Sequence, residues 1–184
     1  MKVFIFFAFF TVISFFATAQ ENVDEALAFQ YYQQADYEKA AVLLEKLFNQ
    51  TKSDSYFDLY FNALIKIKKY NESELILKKL IKQSPNKSKY IVALGRIYQE
   101  SGRVAEANKT FLEAINNTAK DENKLRELAN DFYRFEAYDM AINVFLHGRK
   151  VLADEQLFAF ELVNIYRYKK NKAMLIQEYL NILS

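Results

Sequence analysis

Val92-Ala-Leu-Gly-Arg-Ile-Tyr-Gln-Glu-Ser-Gly-Arg-Val-Ala-Glu-Ala-Asn-Lys-Thr-Phe-Leu-Glu-Ala114 carries two helix faces and the turn between them. Leu94, Gly95 and Tyr98 come before Gly102, and Ala107, Phe111 and Ala114 follow it. On each side the apolar or small residues recur at the offsets that put them on one helix face. Gly102 interrupts the run, so the pattern predicts helix, tight turn, helix. Gly95, Ala107 and Ala114 leave room for two backbones to approach closely, and Tyr98 and Phe111 fill the space beside them.

The same register can be followed through the chain. Tyr37, Tyr70, Val104, Tyr138 and Lys172 stand at equivalent points, with spacings of 33, 34, 34 and 34. A fixed period of this length is the mark of a repeat array in which each unit needs its neighbour to bury its apolar face. The scarce helix breakers obey the register as well. Gly95, Gly102 and Gly148 fall where a small residue is wanted, and Pro85, the only proline, falls at a repeat end,.

Leu94-Gly95, Tyr98, Ala107 and Phe111 resemble the tetratricopeptide (TPR) repeat, with Ile91 in place of its opening Trp and Ala119 in place of its closing Pro,. The resemblance implies an all-α fold, a right-handed α-solenoid of about five helix-turn-helix repeats with the last incomplete. The repeats run over about 21–53, 54–87, 88–121, 122–155 and 156–184, so the repeat domain covers 21–184. Leu175, Tyr179 and Ile182 make the last helix apolar. A solenoid's terminal helix needs a polar outer face, so this one is expected to pack on another chain or a further domain.

The first residues have a different character. Lys2 is followed by a run from Val3 to Phe16 that only Thr11 and Ser14 interrupt, and Ala17-Thr18-Ala19 precedes Gln20. A positive start, a short apolar core and a small-x-small site form the layout of a secretory signal peptide, expected over 1–19. The run is short for a bilayer span. The chain is therefore expected in the periplasm or outside the cell, with no integral span after cleavage. The Phe, Lys, Ile and Asn bias suggests a bacterial source.

Composition narrows the chemistry. The 184 residues are 52% hydrophobic with net charge +2, which suits a folded core and gives no field to attract nucleic acid,. There is no Cys and only one His, His147. A thiol nucleophile, a Cys-ligated zinc site and a His-rich metal centre are thereby excluded. No glycine-rich phosphate loop or Gly-x-Ser-x-Gly elbow occurs. No cofactor, metal or catalytic residue is expected, and the chain reads as a non-enzyme. The lysine run from Lys66 to Lys89 reads as a solvated face.

The TPR resemblance implies a concave groove lined by the first helices of successive repeats. The candidate peptide-binding residues are Asn62 and Lys66 in repeat two, Arg96 in repeat three, and Arg126, Asn130, Tyr133 and Arg134 in repeat four. Asn164 and Tyr168 complete the set in repeat five, and Val92 of repeat three and Phe160 of repeat five line the groove with them. Amides hydrogen-bond a peptide backbone without reading its sequence, Arg meets carboxylates, and Tyr anchors apolar side chains. The implied function is a non-catalytic protein–protein interaction scaffold with a protein or peptide partner. The alternative is the N-terminal TPR portion of a larger envelope enzyme or transport component. N-terminal sequencing of the product from its own cells is expected to begin at Gln20, and an intact Met1 would exclude the signal peptide.

Overall fold

The computed structural model describes residues 23–183, and the signal-peptide expectation for 1–19 lies outside them. The helices are α1 (residues 23–33), α2 (Tyr37–Thr51), α3 (Asp54–Lys66), α4 (Tyr70–Gln83) and α5 (Ser88–Glu100). They continue as α6 (Val104–Asn117), α7 (Glu122–Arg134), α8 (Tyr138–Leu152), α9 (Ala159–Tyr168) and α10 (Lys172–Leu183). Among the described residues there is no strand, and no helix is long and apolar enough to cross a membrane.

The repeat is written in the backbone. Ala35, Lys68, Gly102, Glu136 and Lys170 all have φ between 55° and 81°. They follow one another at the same 33- and 34-residue spacing as the apolar pattern. At each of these sites the next residue's N–H reaches back five residues. Asp36 donates to the Tyr31 carbonyl at 2.9 Å, Lys69 to Leu64 at 3.0 Å, Arg103 to Tyr98 at 2.8 Å, Ala137 to Phe132 at 2.9 Å and Asn171 to Tyr166 at 2.9 Å. This turn satisfies orphan carbonyls at the end of the first helix and reverses the chain into the second. Only Gly102 occupies the left-handed region without a steric cost. The other four hold it because packing on both sides leaves no alternative.

The described residues divide into two compact units, one up to residue 70 and one from residue 71. In the first, α2 packs along α3, and Phe48 of α2 lies 5.6 Å from Phe57 of α3. Phe61 is buried with Phe57 and Tyr60 around it. Asp24 accepts from Lys46 at 2.6 Å and ties α1 to α2.

In the second unit α5 pairs with α6, α7 with α8 and α9 with α10. The hairpins stack with α5 beside α7, α6 beside α8, and α8 on α9. This order is that of helix-turn-helix repeats in a solenoid. Phe111 is the wedge. Its ring lies over Gly95 of α5 and meets Phe132 of α7 edge-on at 5.3 Å. One repeat later Phe145 meets Phe158 at 4.8 Å, and Phe158 lies over Gly148. The glycines therefore make room for aromatic rings, where the sequence pattern suggested close backbones. Glu74 fastens α4 to the α5–α6 turn, accepting from Arg103 at 2.6 Å and Tyr98 at 3.2 Å. Its carboxyl is held down at about 2, first by Lys78 and then by Arg103,.

The last pair is held by a buried ion pair. Arg149 donates to both Glu178 oxygens, at 3.0 and 2.6 Å, and its Nε donates to the Leu157 carbonyl at 2.8 Å. Glu178 therefore turns inward, and Ile176, Tyr179, Leu180 and Leu183 turn outward. The expected bare face of Leu175, Tyr179 and Ile182 is corrected accordingly, since Leu175 and Ile182 are half-covered.

Asp131 on α7 is buried and accepts from the Ser88 hydroxyl at 2.5 Å, which ties α7 to the start of α5. Burial raises its carboxyl to about 6, against the pull of Ser88, Arg134 and Lys89,.

These contacts can be tested by substitution. Gly95→Ala puts a methyl into the Phe111 ring. It is expected to cost about 1–3 kcal/mol in chemical denaturation, and Phe111→Leu in the same chain should recover part of that loss. Asp131 binds its proton more tightly folded than unfolded, so stability should fall as pH rises from about 4 to about 6 and stay low above that,. The span is on the order of 3 kcal/mol. Melting temperatures of Asp131→Asn across this range should lose the slope. An unaltered slope would assign it to another group.

Candidate functional site

The first helices of the second unit present a face built from α5, α7 and α9. The register that buries Leu125, Leu128 and Phe132 of α7 leaves Asn130, Tyr133 and Arg134 exposed. The same register on α9 buries Leu162, Val163 and Tyr166 and exposes Phe160, Asn164 and Tyr168. Asn130 and Asn164 occupy one repeat position. Asn62, half-buried, and Lys66, exposed, lie on α3 of the first unit.

The arginines are placed otherwise than the groove expectation required. Arg126 pairs with Glu122 of its own helix at 2.9 Å and reaches Glu161 of α9 at 2.8 Å. Its guanidinium also stands 5.2 Å from the centre of the Phe158 ring. Arg96 pairs with Glu100 at 2.8 Å and donates to the Phe135 carbonyl at the end of α7. Both cations are committed to holding neighbouring repeats together. Val92 is fully buried and lines no groove. An apolar side chain is worth more inside than out.

The aromatics are brought together. Tyr133 meets Tyr138 edge-on at 5.1 Å, and Tyr138 meets Tyr168 at 4.8 Å, so α7, α8 and α9 share one row of three rings. The hydrogen bond between Tyr138 and Tyr168 pushes the Tyr138 phenol up to about 12, so this ring stays uncharged,. Lys169 pairs with Asp139 at 2.5 Å beside it. A cavity of about 450 Å3 adjoins the row, lined by Arg96, Glu100, Phe111, Phe135, Tyr138 and Lys169 among others. The sequence reading missed Tyr138. A signal was present, because Tyr32 and Tyr37 hold the same two repeat positions as Tyr133 and Tyr138, and they meet in the same edge-on way at 5.3 Å.

The face therefore offers neutral amides and rings for hydrogen bonding and apolar contact, with Arg96 and Arg126 already paired. Among the described residues no group of three or more His, Cys, Asp or Glu gathers as metal donors.

The chain is similar to solved structures of other proteins. A MamA protein from Desulfovibrio magneticus RS-1 aligns over 89% of this chain and 93% of its own at 12% identity, with a TM-score of 0.43. A thermophilic TPR protein of Thermus thermophilus, TTC0263, aligns over 89% and 90% at 15% identity, with a TM-score of 0.42. No family model matches the sequence, and no curated protein does. The five left-handed turns and the ring contacts establish the repeat independently of these distant likenesses.

Proposed function

We propose that this protein is an exported, non-catalytic scaffold that takes up a protein or peptide segment on the first-helix face of its repeats. The observation that carries the reading is the pair Asn130 and Asn164. Both amides are exposed, lie one repeat apart in register and are flanked by the exposed rings of Tyr133, Phe160 and Tyr168. An amide offers a donor and an acceptor together, which is what a peptide backbone needs. Exposed rings beside it supply anchoring area at little entropic cost. Export is supported by the charged start, apolar core and Ala17-Thr18-Ala19 site of the first residues,. The non-catalytic reading is supported by the single His and the missing Cys, which leave no nucleophile and base in a recognisable arrangement,.

The test selects binding peptides against the purified protein and measures their affinity by fluorescence anisotropy. The variant Asn130→Ala with Asn164→Ala and Phe160→Ala should bind about 100-fold more weakly, the loss of two hydrogen bonds and one apolar anchor. Its far-UV circular dichroism should be unchanged, because all three side chains are exposed. Leu112→Ala, on a second helix, should bind as the parent does. Full affinity in the triple variant would place the binding face elsewhere.

A further inference from the structure

We infer that the segment taken up is proline-rich and lies in polyproline II conformation across the rings of Tyr133, Tyr138 and Tyr168. The inference rests on the scaffold reading above and names the chemistry of its partner.

The three rings make a fixed, ridged strip. Tyr133 and Tyr168 are 45% and 61% exposed, and Tyr138 lies half-buried in contact with both. Its plane is turned 75° from that of Tyr133 and 49° from that of Tyr168. The hydrogen bond between Tyr138 and Tyr168 holds two of the rings in place. Successive ring faces are thus tilted against one another, and a flat ligand such as a sugar ring stacks on only one of them at a time. A ridged chain of pyrrolidine rings meets each in turn. An extended strand would ask for a sheet edge, and among the described residues there is no strand,.

The length fits as well. Centroid separations of 5.1 and 4.8 Å let the row reach at most about 10 Å, against roughly 9 Å for one three-residue turn of polyproline II,. Side chains three residues apart on such a helix point the same way. One proline therefore rests on Tyr133 and the third residue after it on Tyr168.

The polar groups beside the row favour the same occupant. Asn130 lies three residues before Tyr133 and Asn164 four before Tyr168, so each amide neighbours its ring on the helix face,. Both amides are exposed, as is Arg134. Their N–H groups are donors. Prolines lack a backbone N–H, and polyproline II leaves its carbonyls without internal partners. Such a segment brings partial negative charge to a face supplied with donors. Lys169 and Asp139, which border the row, pair with each other, and an uncharged segment asks neither to give up its partner.

Fluorescence anisotropy of labelled decaproline with the purified protein tests this. A Kd of about 10–100 μM is expected. A Gly-Ser peptide of the same length should bind at least about 30-fold more weakly, since it brings no ring to the tyrosines. Tyr133→Ala with Tyr168→Ala should lose about 30-fold in affinity for decaproline, with far-UV circular dichroism unchanged because both rings are exposed,. Tyr133→Phe keeps the ring and should stay within about threefold of the parent. Absence of decaproline binding at about 1 mM overturns the inference, and so does full affinity in the double alanine variant. Binding of chitotetraose at the row in place of decaproline overturns it too. If the selected peptides bind through Asn130 and Asn164 while decaproline does not bind, this inference falls and the scaffold reading stands. If no selected peptide binds at all, both fall. The contrast between decaproline and the Gly-Ser peptide on the parent protein decides the matter if a variant does not fold.

Discussion

The stacking of the second unit depends on one contact, an aromatic ring of a second helix set against the first helix that follows. Phe111 has to reach Phe132, and the ring's path runs over Gly95, where no side chain can stand. Such a pair contributes roughly 0.5–1.5 kcal/mol beyond the area that it buries. Its larger effect is geometric, because it forces α6 to carry the next hairpin at a set height. Phe145 and Phe158 do the same one repeat later. A hairpin of this kind is incomplete alone, and its ring is buried only by its neighbour. Tyr179 of α10, at the equivalent position, is exposed.

The period was legible in the sequence because the ring and small-residue positions repeat every 33 or 34 residues. The register placed the turns, but a glycine marks the left-handed residue at one site only. Gly102 announces a left-handed residue, whereas Ala35, Lys68, Glu136 and Lys170 adopt the same conformation without the residue type that favours it,. Packing of both flanking helices imposes it, and packing leaves no local signature. The buried Arg149–Glu178 pair was invisible for a related reason. Its members are 29 residues apart, and nothing local to either one marks the other as its partner.

The candidate face divides along the same line. Asn130, Asn164, Tyr133 and Tyr168 are exposed, as the face implied by the TPR resemblance required. The commitments of Arg96 and Arg126 were not legible, because Phe135 and Glu161 lie 39 and 35 residues away in sequence. A cation on an outward helix position looks available until the next repeat is built beside it. Val92 failed as a groove residue because its side chain is fully buried.

These commitments alter the physics of the face. A groove with free arginines attracts carboxylates over a Debye length and loses affinity steeply with salt. Here the guanidinium of Arg126 is shared between Glu122 and Glu161, and Lys169 is spent on Asp139. In the tyrosine row beside them, Tyr138 keeps its phenol protonated well above neutral pH. Beside these pairs the face exposes Arg134 together with amides and ring surfaces, whose short-range contacts salt screens little,. The ion pairs of Arg126 and Lys169 join α7 to α9 and the end of α9 to α8. Rigid stacking and the commitment of Arg126 and Lys169 are therefore two consequences of one arrangement of side chains.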